Sequence, residues 1–187
     1  MTQRMSKILK MVLKNYMEPN VLMKQGQLVL VPASMKHVIP LAETLSSENK
    51  LELDLFDRAP TEFLIEHVKK DSVYVVEKNN IPLCITGVEP DGKQTGFMWA
   101  MFAEDMKKNW FSFLKASPDL VNFLHNDYYK LNMNVLECHE SILNWAIWLG
   151  FEPEAVIKGQ NIDYVHFVRC NLLKKNVYNL TSRPVIH

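Results

Sequence analysis

Few side chains in this 187-residue sequence could move a proton near neutral pH, and His139 is the best placed of them. Its unperturbed pKa of about 6.5 suits that task. It follows the apolar run Met133–Leu136 and opens the stretch "HESILNWAIWLGFEP". Glu104, Asp105 and Glu137 are the carboxylates nearest in pattern and could serve as bases. His139 could equally cap a helix or edge the core. Lys107 and Lys108 form an adjacent cationic pair, able to neutralise a phosphate or to make a solvated loop face. No Ser/His/Asp or Cys/His arrangement offers a nucleophile. The six histidines lie scattered, without ligand spacing to Cys, Asp or Glu, so no metal site is expected. Cys84, Cys138 and Cys170 stand singly in apolar segments and read as reduced core thiols.

Positioning those groups requires a core, and the apolar content of 48% over 187 residues supplies one for a single domain. Twenty-one basic residues balance twenty-one acidic ones. No global field therefore steers the chain to nucleic acid or an anionic membrane. The aromatic stretch "KKNWFSF" lacks the sustained basic stripe of a nucleic-acid platform. No run approaches the roughly 20 apolar residues of a membrane span. The basic amino end (Arg4, Lys7, Lys10, Lys14) has neither an unbroken apolar core nor a cleavage site, so a protein that is not secreted is expected.

Residues 5–16 place Met5, Ile8, Leu9, Val12, Leu13 and Tyr16 on one helical face, with lysines opposite. Such a helix could lie on its own domain, on a neighbouring subunit in a homo-oligomer, on a membrane surface or on a partner protein. "QLVLVPAS" reads as a strand, and Ser34 caps a helix from Met35 through Leu45. "LELDLFD" is ambiguous: its alternation argues strand, its position between helical stretches argues helix or loop. "TEFLIEHVKKD" is an amphipathic helix. Runs 72–78, 81–89 and 95–103, separated by Asn79-Asn80 and Pro90-Asp91-Gly92, describe an antiparallel meander. "EDMKKNWFSFLKA" reads as an irregular connection. Ser117-Pro118-Asp119 reads as the start of a helix, with Ser117 as N-cap and Pro118 in its first position. Strand 133–139, the quoted helix and two strands at 155–159 and 162–170 complete the order. The expected organisation is an arm at 1–24, a domain at 25–171 and an extension at 172–187.

That order, together with Ile142-Leu143, Trp145, Leu149, Gly150 and Phe151, resembles the GNAT family of acyl-CoA-dependent N-acyltransferases. Within it, residues 27–170 resemble the acetyltransferase-like internal virion proteins of short-tailed bacteriophages. The resemblance implies an α/β (α+β) fold with a mixed, mostly antiparallel sheet of about seven strands flanked by helices. It implies acetyl-CoA as cofactor, its pantetheine arm on the main chain of Trp99, Ala100, Met101 and Phe102. It also implies a diphosphate on a glycine-rich loop and helix N-terminus. Here no glycine lies between Ala103 and Leu120. The expected helix start adds Asp119 and loses the Pro118 donor, leaving Lys107 and Lys108 to meet phosphate. The family's asparagine falls on His139 and its tyrosine acid on Ala146. The resemblance thus implies either an active N-acetyltransferase or a catalytically degenerate scaffold, with acetyl-CoA a cofactor only in the first case. The scaffold would work in virion assembly, the internal capsid or host takeover. Its partners would be phage or host proteins, reached through residues 5–16 and the carboxy-terminal tail, in the host cytoplasm or the virion.

Overall fold

The computed structural model describes residues 20–159 and 162–171. The helix expected at 5–16 and the tail at 172–187 lie outside them. Among the described residues eight strands form one sheet: β1 (Met23–Gln25), β2 (Leu28–Pro32), β3 (Val73–Lys78), β4 (Ile81–Pro90), β5 (Thr95–Phe102), β6 (Lys130–Leu136), β7 (Glu152–Ile157) and β8 (Tyr164–Cys170). Their order across the sheet is β1-β2-β3-β4-β5-β6-β8-β7. Every neighbouring pair is antiparallel except β5 and β6. The eighth strand, β1, hairpins onto β2 and exceeds the seven expected.

Period-2 alternation puts the two faces of the sheet under different helices. A 3-10 turn (Met35–His37) and helices α1 (Val38–Thr44), α2 (Ser47–Asp54) and α3 (Pro60–His67) cover one face. There Leu41, Leu53 and Leu64 pack with Val73, Val75, Ile85 and Met101. Helices α4 (Met106–Leu124) and α5 (Glu140–Trp148) cover the other face. There Phe113, Leu120, Val121 and Trp145 pack with Met98, Phe102, Met133 and Phe167. Gly150 ends α5 at φ 81° and Phe151 is buried behind it, as the sequence predicts. The ambiguous "LELDLFD" is mostly helical: Ser46 caps α2, accepting from the Asn49 amide at 3.3 Å.

The stretch read as irregular, 104–116, forms most of α4, which begins at Met106 and runs through Pro118. Met106, Phe113, Ser117, Leu120, Val121 and Leu124 are buried along one continuous helical face, and that amphipathicity outweighs the proline. Pro118 has no N–H for the Leu114 carbonyl. The Ser117 hydroxyl donates to that carbonyl instead, at 3.0 Å, and accepts the Trp145 indole N–H at 3.1 Å. Ser117 is therefore an internal repair, not a cap. Of the three thiols only Cys84 is buried, with its pKa pushed up by desolvation. Cys138 and Cys170 are free and exposed, contrary to the expectation of core thiols.

The parallel ladder between β5 and β6 spans only Thr95–Phe97 against Lys130–Asn132. Beyond it β5 stays with β4 and β6 stays with β8, so the two strands part. Gly96 lies at the root of this fork. A Cβ there would meet Val88 and stand 2.8 Å from the Tyr128 ring. Gly96→Ala is expected to cost about 1–3 kcal/mol by overpacking, read as a lowered midpoint in urea.

Candidate functional site

The fork leaves a cavity of ≈570 Å³ between the strand ends, lined by Met98–Phe102 of β5 and Met133–Leu136 of β6. A second cavity of ≈520 Å³ lies toward the start of α4. Asn49, Phe102, His139 and Ile142 line both, so the two are immediate neighbours. None of the bulky residues near the fork closes it. Trp110 packs on Phe102, Phe113 and Trp145, and Phe111 is 71% exposed on the outside of α4.

Strand geometry decides which main-chain groups face the gap. The Ala103 N–H points back to Leu83 on β4, so Phe102 and Ala100 turn the other way. Phe102 is already satisfied: its N–H donates to Asn49 Oδ1 at 2.8 Å, and its carbonyl accepts from Ser46 at 2.9 Å. Ala100 is thus the residue of β5 whose amide and carbonyl face the middle of the gap. Trp99 and Met101 direct theirs to β4. Of Trp99, Ala100, Met101 and Phe102, the four residues expected to meet a pantetheine arm, alternation and the Phe102 bonds leave Ala100 as the one with its main chain turned to the middle of the gap.

On the α2–α3 side the cavity wall is aromatic and acidic. Phe63 stacks on His67 with ring centroids 3.9 Å apart, and both meet Trp99 edge-on at 5.5 and 4.8 Å. His67 Nδ1 donates to the Phe63 carbonyl at 2.7 Å, and its Nε2 lies 3.2 Å from Glu89. Glu89 is also bridged by Lys70 at 2.7 Å. Arg58, at the rim, is paired with Glu66. Glu52 differs. It is partly buried, accepts a long 3.4 Å bond from Asn49, and burial holds its carboxyl above the usual range. Tyr164, from the start of β8, lines the same cavity. Burial raises its pKa, and the Glu52 carboxylate nearby raises it further. The phenol therefore stays protonated at neutral pH.

Sequence reasoning missed Glu52, His67, Glu89 and Tyr164. Ala146, where the resemblance places a tyrosine, is fully buried in α5. His139 precedes the first residue of α5 and lines both cavities. Burial lowers its pKa, and its Nε2 is buried without a partner among the described residues. Glu137 is exposed, its amide bound to the Asp163 carbonyl, and it lines neither cavity.

Glu104, Asp105, Lys107 and Lys108 come together at the entrance of α4. That entrance is the seat a diphosphate would need, and the residues present do not fit one. Lys107 pairs with Glu104 at 2.7 Å and with Glu48 at 3.2 Å, and Lys108 pairs with Asp105 at 2.7 Å. The Ala103 and Glu104 amides donate to Leu83 and Thr44. Those of Met106, Lys107 and Lys108 close back on Ala103, Glu104 and Asp105. The poor seat expected at Ser117–Asp119 thus lies twelve residues earlier, for different reasons: spent donors and native carboxylates at the positive end of the helix dipole. Among the described residues no His, Cys, Asp and Glu group could hold a metal, and no helix is long and apolar enough to cross a membrane.

No protein-family model and no curated protein matches the sequence. Solved structures do. An acetyltransferase of the GNAT family from Bacillus anthracis superposes with a TM-score of 0.62 at 12% identity, over 79% of this chain and 96% of that one. RimL, a ribosomal L7/L12 α-N-protein acetyltransferase in complex with coenzyme A, gives 0.63 at 14% identity, over 81% and 98%. The ribosomal-protein-S5-alanine acetyltransferase from Vibrio fischeri gives 0.60 at 11%, over 80% and 96%. At such identities the likeness is one of architecture. The chain has the fold of the GNAT acetyltransferases.

Proposed function

We propose that the chain is an N-acyltransferase-like protein that holds an acyl thioester in the fork between β5 and β6 and passes the acyl group to a cationic amine. The open fork carries this reading: a strand edge with the Ala100 amide and carbonyl turned inward, beside an aromatic wall with a carboxylate of raised proton affinity. Rings of Phe63 and Trp99 attract an ammonium through their faces. Among the described residues Glu52 has no cationic partner, so it is the group that recognises the ammonium and then takes its proton. The freed nitrogen attacks the thioester carbonyl and the C–N bond forms; the nitrogen then releases its second proton to solvent as the C–S bond breaks, and the thiolate that leaves takes up a proton from solvent. Tyr164 donates a hydrogen bond to the departing sulfur.

Thiol release from an acetyl thioester across a panel of amines tests the reading. Diamines and other cationic amines are expected to turn over faster than amino acids bearing a carboxylate beside the amine. The acid limb of kcat/KM should lie above the ordinary Glu value of 4.5, because burial raises the Glu52 pKa. Silence across the whole panel would reject it.

The buried Ala146 favours a second reading, a scaffold that has kept the fold and acts by protein contact, in a phage particle or on host proteins. It expects no thiol release, and loss of associations on deleting residues 1–24.

A further inference from the structure

We infer that the acyl donor is recognised through its pantetheine arm, with no contribution from a nucleotide diphosphate. This rests on the reading above and goes beyond it. The fork and the seat at the entrance of α4 are separate pieces of the same groove, and they make opposite demands. The fork is open and presents Ala100 main chain to an amide-bearing arm. The entrance of α4 repels anions. Among the described residues Glu48, Glu104, Asp105 and Glu140 gather around it against Lys107 and Lys108, and each lysine is already paired. Glu104 and Glu48 hold the Lys107 pKa above its ordinary value, and Asp105 does the same for Lys108.

The helix offers its first-turn amides no better. Those of Met106, Lys107 and Lys108 are turned into the preceding residues, and the Ala103 and Glu104 amides are bound to Leu83 and Thr44. A diphosphate arriving there would meet carboxylates in place of donors, at a helix end that usually favours it. Neighbouring space remains: the ≈520 Å³ cavity between Ser46, Trp110 and His139 admits the upper part of an arm. The ligand chemistry is therefore an S-acylated pantetheine. Its source is either a small thioester or a phosphopantetheine arm carried on a protein.

Calorimetry on the full chain separates these cases, with S-acetylpantetheine, acetyl-CoA and an acetylated phosphopantetheinyl carrier protein as the three probes. Acetyl-CoA is expected to bind no more than about threefold more tightly than S-acetylpantetheine, and its affinity should rise with salt, since screening weakens repulsion. The double variant Glu104→Gln, Asp105→Asn should tighten acetyl-CoA by about tenfold and leave S-acetylpantetheine unchanged. A carrier that outbinds the free arm identifies a protein source, and equal affinities identify a small thioester. Acetyl-CoA binding tenfold or more tightly than S-acetylpantetheine, weakening with salt, overturns the inference and leaves acyl transfer standing. Binding by none of the three overturns both.

Discussion

Glu52→Gln is expected to lower kcat/KM for thiol release by about 10²–10⁴-fold, the usual contribution of a positioned base, while raising thermal stability at pH 7. The two effects have one cause. Glutamine keeps the side chain's volume and its acceptor for Asn49, but it can neither carry charge nor accept a proton. Burial raises the Glu52 pKa in the folded state. Between the ordinary value of 4.5 and that raised value, the folded chain holds more proton than the unfolded one, so stability falls as pH rises. The stabilising contribution of the protonated carboxyl is complete below 4.5 and is lost as pH climbs through the folded value. The variant should therefore melt above the parent at neutral pH, and the gap should close in acid. Scanning calorimetry at pH 4 and pH 7 reads this directly. A variant both inactive and destabilised at pH 7 would make Glu52 a structural residue and remove the base from the mechanism.

Ser117→Ala should be the most damaging small substitution in the helical layer. It strands two groups at once, the half-buried Leu114 carbonyl above Pro118 and the buried Trp145 indole N–H. Unsatisfied buried groups cost about 1–3 kcal/mol each, so a loss of about 2–4 kcal/mol is expected. For a chain of this size that corresponds to a fall in melting temperature of roughly 5–15 °C. Adding Pro118→Ala restores a backbone N–H for Leu114, and the double variant should recover about half of the deficit. Strictly additive losses would mean that the hydroxyl does not stand in for the missing amide.

The strands were legible because their turns carry local signals. Asn79 and Asn80 do adopt positive φ, and Gly150 does close α5, as residue type alone requires. The beginning of α4 was misread for an instructive reason. Ser-Pro-Asp is the local signature of a helix start, yet the buried face passes straight through it from Met106 to Leu124. The proline is tolerated through a hydroxyl supplied by its own neighbour and an indole from another helix. Tertiary packing overrode the local code, and the strand expected at 133–139 runs instead from Lys130 to Leu136, since the helix already ends at Leu124.

The site was less legible than the fold. The resemblance places its acid on Ala146, a buried residue without a side-chain donor. The hydroxyl at the cavity comes instead from Tyr164, on a different strand. Glu52 sits inside "LELDLFD", whose alternation conceals a helix. Its place at the cavity depends on Asn49, which holds the Phe102 amide with one end and Glu52 with the other. That hub joins residues about fifty positions apart, and no short-range pattern announces it. Ala100 lies on β5 and His139 just beyond the end of β6, so the pattern of those two strands brings both to the cavity.

The fork itself is best tested by amide chemical shifts of the isotopically labelled protein titrated with S-acetylpantetheine. Saturable changes centred on Ala100 and its β5 neighbours, with matching changes at Met133–Leu136 across the gap, are the expected result. Unmoved amides on both strands at millimolar thioester, with the fold intact, would contradict the claim that this opening holds an acyl donor.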